Sequence, residues 1–491
     1  MSWFREKWKV VMMNLQNSMD EFISVQNLSF TYKNWTASQN SPILRDVSFQ
    51  LPKGSKTLLL APFDAGKSTL ARILSGLCPR YLSGELEGSI LVGGADVQKT
   101  EPWELVEKCG YVSQNPLEQF ISSSVQDELA FPLESMGVTE KEMHERLEKA
   151  LHQWDLEQLK EVPENQLSGG ERKRVLLALN QMLDPDFWIL DESFDDLDQQ
   201  WRMYLSEQIR QNDKTILVLA SRYLTQFEGL FDLYALLQDG KVVFAPLEQV
   251  KNRFATLSGD DILTVLPPSP ALKNRQVLST ETLEFKKMRP GDVGKKVFTL
   301  SVPHFSLASG EMKSLTGPNG CGKSTFSRLA CGLDIPTEGF FFLNGRKTST
   351  KELNCSVGYL FQNPDLQIFL PTVKDELSWS LSRDKRLKKD EIEHKVDQCA
   401  SLFGLALEDT PTTMSYPQRK ALQAAVYYLL DRPFYILDEL DNALTYAKAQ
   451  HIVRLLSENG SGILLITHDQ KFASLIATEG YSIQNGRMQT V

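Results

Sequence analysis

Gly317-Pro318-Asn319-Gly320-Cys321-Gly322-Lys323-Ser324-Thr325 is a complete GxxxxGK[ST] loop, and its reading decides the fold. Closely spaced glycines let backbone N–H groups converge on phosphate oxygens, the lysine neutralises their charge, and the hydroxyl reaches a metal ion. An earlier stretch, Ala61-Pro62-Phe63-Asp64-Ala65-Gly66-Lys67-Ser68-Thr69, repeats the pattern with Ala61 and Asp64 at glycine positions. The short apolar run Lys56–Leu60 leads into that earlier loop, and Ser68–Leu77 follows with helical spacing. This strand, loop and helix order is the context the motif requires. Ile23–Tyr32 alternates apolar and polar residues as a half-buried strand does. Phe187–Leu190 and Thr215–Leu219 are continuous apolar runs, which predicts buried strands of a parallel sheet and an α/β fold.

The repeat extends over the whole chain. Lys67 and Lys323 stand 256 positions apart, Gln114 and Gln362 248, and the pairs Asp191/Asp438 and Ser221/His468 247. Length alone would allow about three domains; the repeat selects two. The boundaries are an N-terminal extension over 1–22, a first domain over 23–255, a linker over 256–278 rich in proline (Pro267, Pro268, Pro270), and a second domain over 279–491. The extension mixes Trp3, Phe4, Trp8, Val10, Val11, Met12 and Met13 with Arg5, Lys7 and Lys9. It reads as a membrane-surface helix, as a plain N-terminal extension, or as an over-early start with Met13 or Met19 the true one.

With 42% hydrophobic and 24% charged residues, each half has the material for its own core. A formal net charge of -10 argues against nucleic acid as the main partner, because such binding needs a basic surface. The six cysteines include no CxxC pair and one lies inside the intact loop, which points to a reducing compartment. No apolar run approaches the roughly 18 to 20 residues that span a bilayer.

Downstream of the intact loop come Gln362, then Tyr435-Ile436-Leu437-Asp438-Glu439, then Ile466-Thr467-His468-Asp469. The first half carries Leu167-Ser168-Gly169-Gly170-Glu171, whereas its counterpart Met414-Ser415-Tyr416-Pro417-Gln418 has lost both glycines. With these motifs the chain resembles a tandem ABC-type ATPase over nearly all of both halves. The resemblance implies two P-loop nucleotide-binding domains, each with a RecA-like α/β core, an antiparallel β-subdomain and an α-helical signature subdomain. It further implies ATP and Mg²⁺ as cofactors, with Gly317, Pro318, Asn319, Gly320, Cys321, Gly322, Lys323, Ser324 and Thr325 around the phosphates. Ser324, Asp438 and Gln362 then serve the metal, Glu439 polarises the attacking water, and His468 contacts the γ-phosphate. Positioning and charge stabilisation are what phosphoryl transfer needs.

In the same family, one domain's signature closes over nucleotide held by the other. Ser168, Gly169, Gly170 and Glu171 therefore belong with the intact loop, through a hydroxyl, backbone N–H groups and the positive end of a helix. The reciprocal site keeps Gly66, Lys67, Ser68, Thr69, Gln114, Asp191 and Glu192. It has lost two loop glycines, has Ser221 where a histidine should stand, and faces Tyr416-Pro417, where proline removes an N–H. Asp64 resists the positive φ of a glycine and sets a carboxylate beside phosphate. One hydrolytic and one silent site are expected. Tyr32 fits the family's adenine-stacking position in the first half; in the second, either Phe285 takes this role or the base is held differently, since the aligned residue is Lys287.

Both halves continue Q-N-P-x-x-Q after the glutamine, in Gln114–Gln119 and Gln362–Gln367, followed by Val125-Gln126-Asp127-Glu128-Leu129 and Val373-Lys374-Asp375-Glu376-Leu377. This is similar to the ATPases of energy-coupling-factor (ECF) importers for vitamins and metal ions. That likeness implies an integral-membrane coupling subunit and a substrate-binding membrane subunit as partners. It also implies a place on the cytoplasmic face of the membrane and a groove after each glutamine that receives coupling helices. Two other classes stay in view: a soluble tandem ABC protein acting on ribosomes or DNA, and a non-catalytic regulatory pseudoenzyme.

Overall fold

The computed structural model describes residues 21–33, 42–63, 65–258, 265–266, 275–287, 298–382, 387–442, 444–477 and 479–491. The readings made for residues 1–20, for Asp64 and for most of the 256–278 linker lie outside them. The chain divides at Leu257/Ser258 into two compact units.

In the first unit the strands are β1 (Glu21–Tyr32), β2 (Leu44–Pro52), β3 (Lys56–Leu60), β4 (Gly84–Val92), β5 (Ala95–Asp96), β6 (Cys109–Val112), β7 (Phe187–Asp191), β8 (Thr215–Ala220), β9 (Leu233–Gln238) and β10 (Lys241–Phe244). The helices that matter for the site are α1 (Lys67–Leu74), α2 (Val125–Ser135), α3 (Glu140–Gln153) and α4 (Gly169–Leu183). Two sheets form. The order β2-β1-β4-β5 is antiparallel, and β10-β9-β3-β8-β7-β6 is parallel apart from its β10 edge.

All five residues of β7 are buried, and their two faces serve different layers. Phe187 and Ile189 join the core that holds α1 and the antiparallel sheet, whereas Trp188 and Leu190 join the one that holds α4. A strand covered on both faces must be apolar throughout, which is why a continuous run rather than an alternation marked it in the sequence.

The second unit repeats the plan in one ten-stranded sheet. Its strands are β11 (Val277–Lys287), β12 (Phe298–Ala308), β13 (Met312–Thr316), β14 (Glu338–Leu343), β15 (Arg346–Lys347), β16 (Val357–Leu360), β17 (Phe434–Asp438), β18 (Gly462–Ile466), β19 (Glu479–Gln484) and β20 (Arg487–Thr490). They follow the order β15-β14-β11-β12-β20-β19-β13-β18-β17-β16. Helix α5 (Lys323–Ala330) follows the loop, while α6 (Val373–Leu381), α7 (Lys389–Phe403) and α8 (Tyr416–Leu430) pack together around Val373, Leu377, Val396, Cys399, Leu422 and Ala425.

The antiparallel and parallel parts meet where Ser301 N–H donates to the Gly486 carbonyl (2.7 Å), as Arg45 N–H donates to Gly240 in the first unit (2.9 Å). Gly486 turns the β19–β20 hairpin at φ 74°, and a Cβ there would collide with the Thr299 carbonyl oxygen. Both the left-handed backbone and the missing side chain are needed. Gly486→Ala is expected to destabilise the second unit by about 1–3 kcal/mol, read as a lower urea midpoint; an unchanged midpoint would show that the seam is not structural.

Candidate functional site

Parallel strands end at a common edge, and the loops leaving it collect the side chains named above. Register fixes the level: Leu315 pairs with Ile466, Asp438 with Ile466, and Leu360 with Leu437. The phosphate loop after β13, Gln362 after β16, Glu439 after β17 and His468 after β18 therefore leave the sheet together, the usual place for a ligand in such a fold.

The intact loop wraps on itself. Lys323 Nζ donates to the Gly317 and Pro318 carbonyls (2.8 and 3.0 Å), and Gly317 sits at φ 149°, where a Cβ would strike the Ile483 carbonyl. In the first unit Lys67 makes the same bonds to Ala61 and Pro62 (both 2.9 Å), so the lysine arm survives the loss of glycine. Ala61 avoids positive φ altogether. Phe63, in the place of Asn319, is buried, with its ring centroid 5.2 Å from Lys67 Nζ.

The two glutamates are the sharpest contrast. Both follow their strand at φ 49°, a left-handed backbone that a non-glycine residue enters only under constraint, and each is pinned by its N–H to the neighbouring strand. Around Glu439, Gln362 Nε2 donates to Oε2 (2.7 Å), Asn442 Nδ2 donates to the same oxygen (2.5 Å), and His468 Nε2 lies 3.3 Å from Oε1. Burial works to raise its pKa, but His468, with Lys323 and Lys420, outweighs burial and holds the carboxyl below its ordinary value. It is therefore an ionised group with an amide and an imidazole at hand.

Glu192 is held otherwise. Ser221 donates both its N–H (3.0 Å) and its hydroxyl to the carboxylate, and Lys67 Nζ stands 3.5 Å from Oε1. Burial, resisted by Lys67, pushes its pKa up to about 7. Next to it Arg222 forms a buried ion pair with Asp195 (3.1 Å), tying the turn after β8 to the turn after β7. The residues that replace the histidine motif have built a closed polar cluster of their own.

Asp438 and Asp191 are both wholly buried, with Tyr359 and Tyr111 hydroxyls donating to them (2.6 and 3.3 Å). Burial raises the pKa of each, and Glu439 adds to this for Asp438. With the Ser324 hydroxyl, these are hard oxygen donors of the type that suits Mg²⁺.

Ser168 caps α4 in a reciprocal box with Glu171, whose Oε2 accepts from the serine N–H (2.7 Å) and hydroxyl (2.8 Å). Glutamate thus serves the capping role in this signature. Ser415 and Gln418 make the same box on α8, followed by Tyr416 and Pro417 in its first turn. Helix capping survives there although both glycines are gone.

The Q-N-P-x-x-Q stretches close on themselves. Gln119 bridges Ser113 N–H and the Tyr111 carbonyl (2.8 Å each), and Gln367 bridges Phe361 N–H and the Tyr359 carbonyl (3.0 and 2.9 Å). Glu128 and Glu376 then gather the N–H groups of Ile121 and Ser122, and of Phe369 and Leu370. These clamps present apolar side chains to solvent, with Ile121, Leu366 and Phe369 exposed by 68, 71 and 70%.

Several contributors were missed from sequence. Asn442 has a readable signal, lying three residues beyond Glu439. Phe298 comes nearest the Gly322 position in the second unit, as Ile43 does to Gly66 in the first. Of the two aromatics read from the sequence for adenine, Phe285 packs against the second core, and the Tyr32 hydroxyl lies 3.3 Å from Thr69 Oγ1.

A sequence profile of the ABC transporter family matches residues 44–195 and 300–442. An ABC transporter ATP-binding protein of Methanosarcina mazei, provisionally so named, is 28% identical over 97% of this chain and 90% of its own length. YkoD of Bacillus subtilis, provisionally named an HMP/thiamine import ATP-binding protein, is 30% identical over 94% of this chain and 89% of its own. Among solved structures, ribosome-bound archaeal Pelota and ABCE1 gives a TM-score of 0.63 at 19% identity, covering 94% of this chain and 78% of that one. A structure titled RNase-L Inhibitor gives 0.54 at 19%, covering 93 and 89%. Likeness at this identity shows the fold.

The raised Glu192 carboxyl makes stability depend on pH. The folded chain keeps a proton that the unfolded chain releases between the ordinary value of 4.5 and about 7, so stability falls as pH rises through that window. Glu192→Gln removes this dependence. Its urea stability relative to the parent should rise by about 1–3 kcal/mol from pH 4.5 to 7; a constant difference across that range would rule out the assignment.

Proposed function

Because the chain belongs to the ABC transporter family and carries its nucleotide-binding domain twice, we propose that it is the ATPase that energises a membrane importer of ECF type. The family makes it an ATP-binding ATPase. The proposal adds where ATP is hydrolysed and what the hydrolysis drives. The two domains pair head to tail within the chain. Nucleotide on the loop Gly317–Thr325 is then closed by Ser168, Gly169, Gly170 and the start of α4, and the reciprocal site is silent.

The observation that carries this reading is the contrast between the two glutamates. Glu439 is ionised and bonded to Gln362, with His468 alongside, so its carboxylate is available to orient a water for in-line attack. Glu192 is engaged by the N–H and hydroxyl of Ser221, with Lys67 Nζ 3.5 Å from its Oε1. Ser324, Asp438 and Gln362 would hold Mg²⁺, which when bound supplies positive charge to the phosphate oxygens. Lys323 adds its ammonium, and the loop N–H groups donate to the β- and γ-phosphates.

Two observations support import across a membrane. The two Q-N-P-x-x-Q clamps raise exposed apolar residues in each half, as a pair of docking surfaces for helices of an integral-membrane coupling subunit requires. The relative named for HMP/thiamine import supports a vitamin as the cargo class, delivered by a separate substrate-binding membrane subunit. With such membrane partners the chain would act from the cytoplasmic face.

Lys323→Ala and Glu439→Gln are expected to lower ATP turnover at least about 100-fold, and Glu192→Gln less than about three-fold. Equal losses in a phosphate-release assay would remove the asymmetry. Ser168→Arg should match Lys323→Ala although it lies in the other half. Affinity purification of the tagged chain from membranes should recover an integral-membrane subunit; co-sedimentation with ribosomes in its place would overturn the transport reading.

A further inference from the structure

Tyr416 stands where the first unit has Gly169, and it does more than replace a glycine. Its hydroxyl donates to the backbone carbonyl of Gln362 (2.8 Å), across 54 residues of sequence. The Arg419 guanidinium lies 5.7 Å from its ring centroid, and Arg419 is itself paired with Asp365 (2.7 Å). One and two turns on, Lys420 Nζ and Gln423 Nε2 both donate to the Phe361 carbonyl (3.2 Å each). The first turns of α8 thus grip the two residues that leave β16.

In the first unit this grip has a different donor. Lys173, the counterpart of Lys420, donates to both the Ser113 and Gln114 carbonyls (2.8 and 3.0 Å). The carbonyl of the loop glutamine is taken by lysine in the unit whose signature keeps its glycines. In the unit whose glutamine reaches Glu439, it is taken by tyrosine.

We infer that Tyr416 is a positioning residue for hydrolysis, anchoring the Gln362 backbone to α8 so that the Gln362 amide stays on Glu439. The inference rests on the roles given to Gln362 and Glu439 under the proposed function. Gln362 lies between β16 and the turn at Pro364–Leu366, and the tyrosine bond ties its backbone there to α8. Small displacements of a group that orients a nucleophile are costly in rate. The tyrosine therefore belongs to the working site of its own domain, whatever the lost glycines did to the reciprocal one.

Tyr416→Phe keeps the ring and the Arg419 contact and removes only the hydroxyl. In the full-length chain kcat for ATP should fall about 3- to 10-fold with KM within two-fold, at an unchanged urea midpoint. In a Gln362→Ala background the same change should alter kcat less than two-fold, because the residue it positions is gone. Losses that multiply would show Tyr416 acting through the fold, and an unchanged kcat in Tyr416→Phe alone would also overturn the inference. If Gln362→Ala itself retains full kcat, the fault lies with the role given to Gln362, and the positioning role fails with it.

Discussion

A carboxylate buried at the end of a parallel strand must be compensated, and the way each half does so organises everything around it. An unpaired buried charge is far too costly to keep, so it acquires donors or it takes a proton. Glu439 acquires amides and stands beside an imidazole, and it stays ionised. Glu192 is bonded by a serine and faces the phosphate-loop lysine, and its pKa rises towards neutrality. Both sit in the same strained backbone on the same strand edge. The scaffold is common to the two halves, and the second layer of residues separates their chemistry.

The first half is better described as rebuilt than as decayed. Ser221 and Arg222 occupy the positions of His468 and Asp469, and each has found a buried acidic partner, in Glu192 and Asp195. Phe63 fills space beside Lys67, where Asn319 stands in the other loop. Buried carboxylates that gain such partners avoid the cost of an uncompensated buried charge. The degenerate signature in the second half follows the same logic, since the helix cap is kept and the new tyrosine spans to the neighbouring loop.

The Q-N-P-x-x-Q stretches owe their form to the pairing of backbone groups. An irregular loop between a buried strand and a helix leaves N–H and C=O groups without partners. In both halves one glutamine and one glutamate satisfy four of them, which frees the intervening apolar side chains to face outward. Polar spacing of this kind is legible in a sequence; the outward direction of Ile121 or Phe369 is not.

How much could be read in advance divides along physical lines. The strand Lys56–Leu60, the buried runs that became β7 and β8, the glycine-rich loop and the two-domain plan are local or periodic signals, set by burial on both faces and by backbone sterics. The sequence by itself therefore determined the α/β class, the tandem architecture, and which motif residues are present or replaced. Tertiary structure alone decided that Tyr416 meets Gln362 and that Ser221 and Lys67 converge on Glu192. Those contacts link residues from 29 to 125 positions apart through side-chain direction and strand register, which no local pattern encodes.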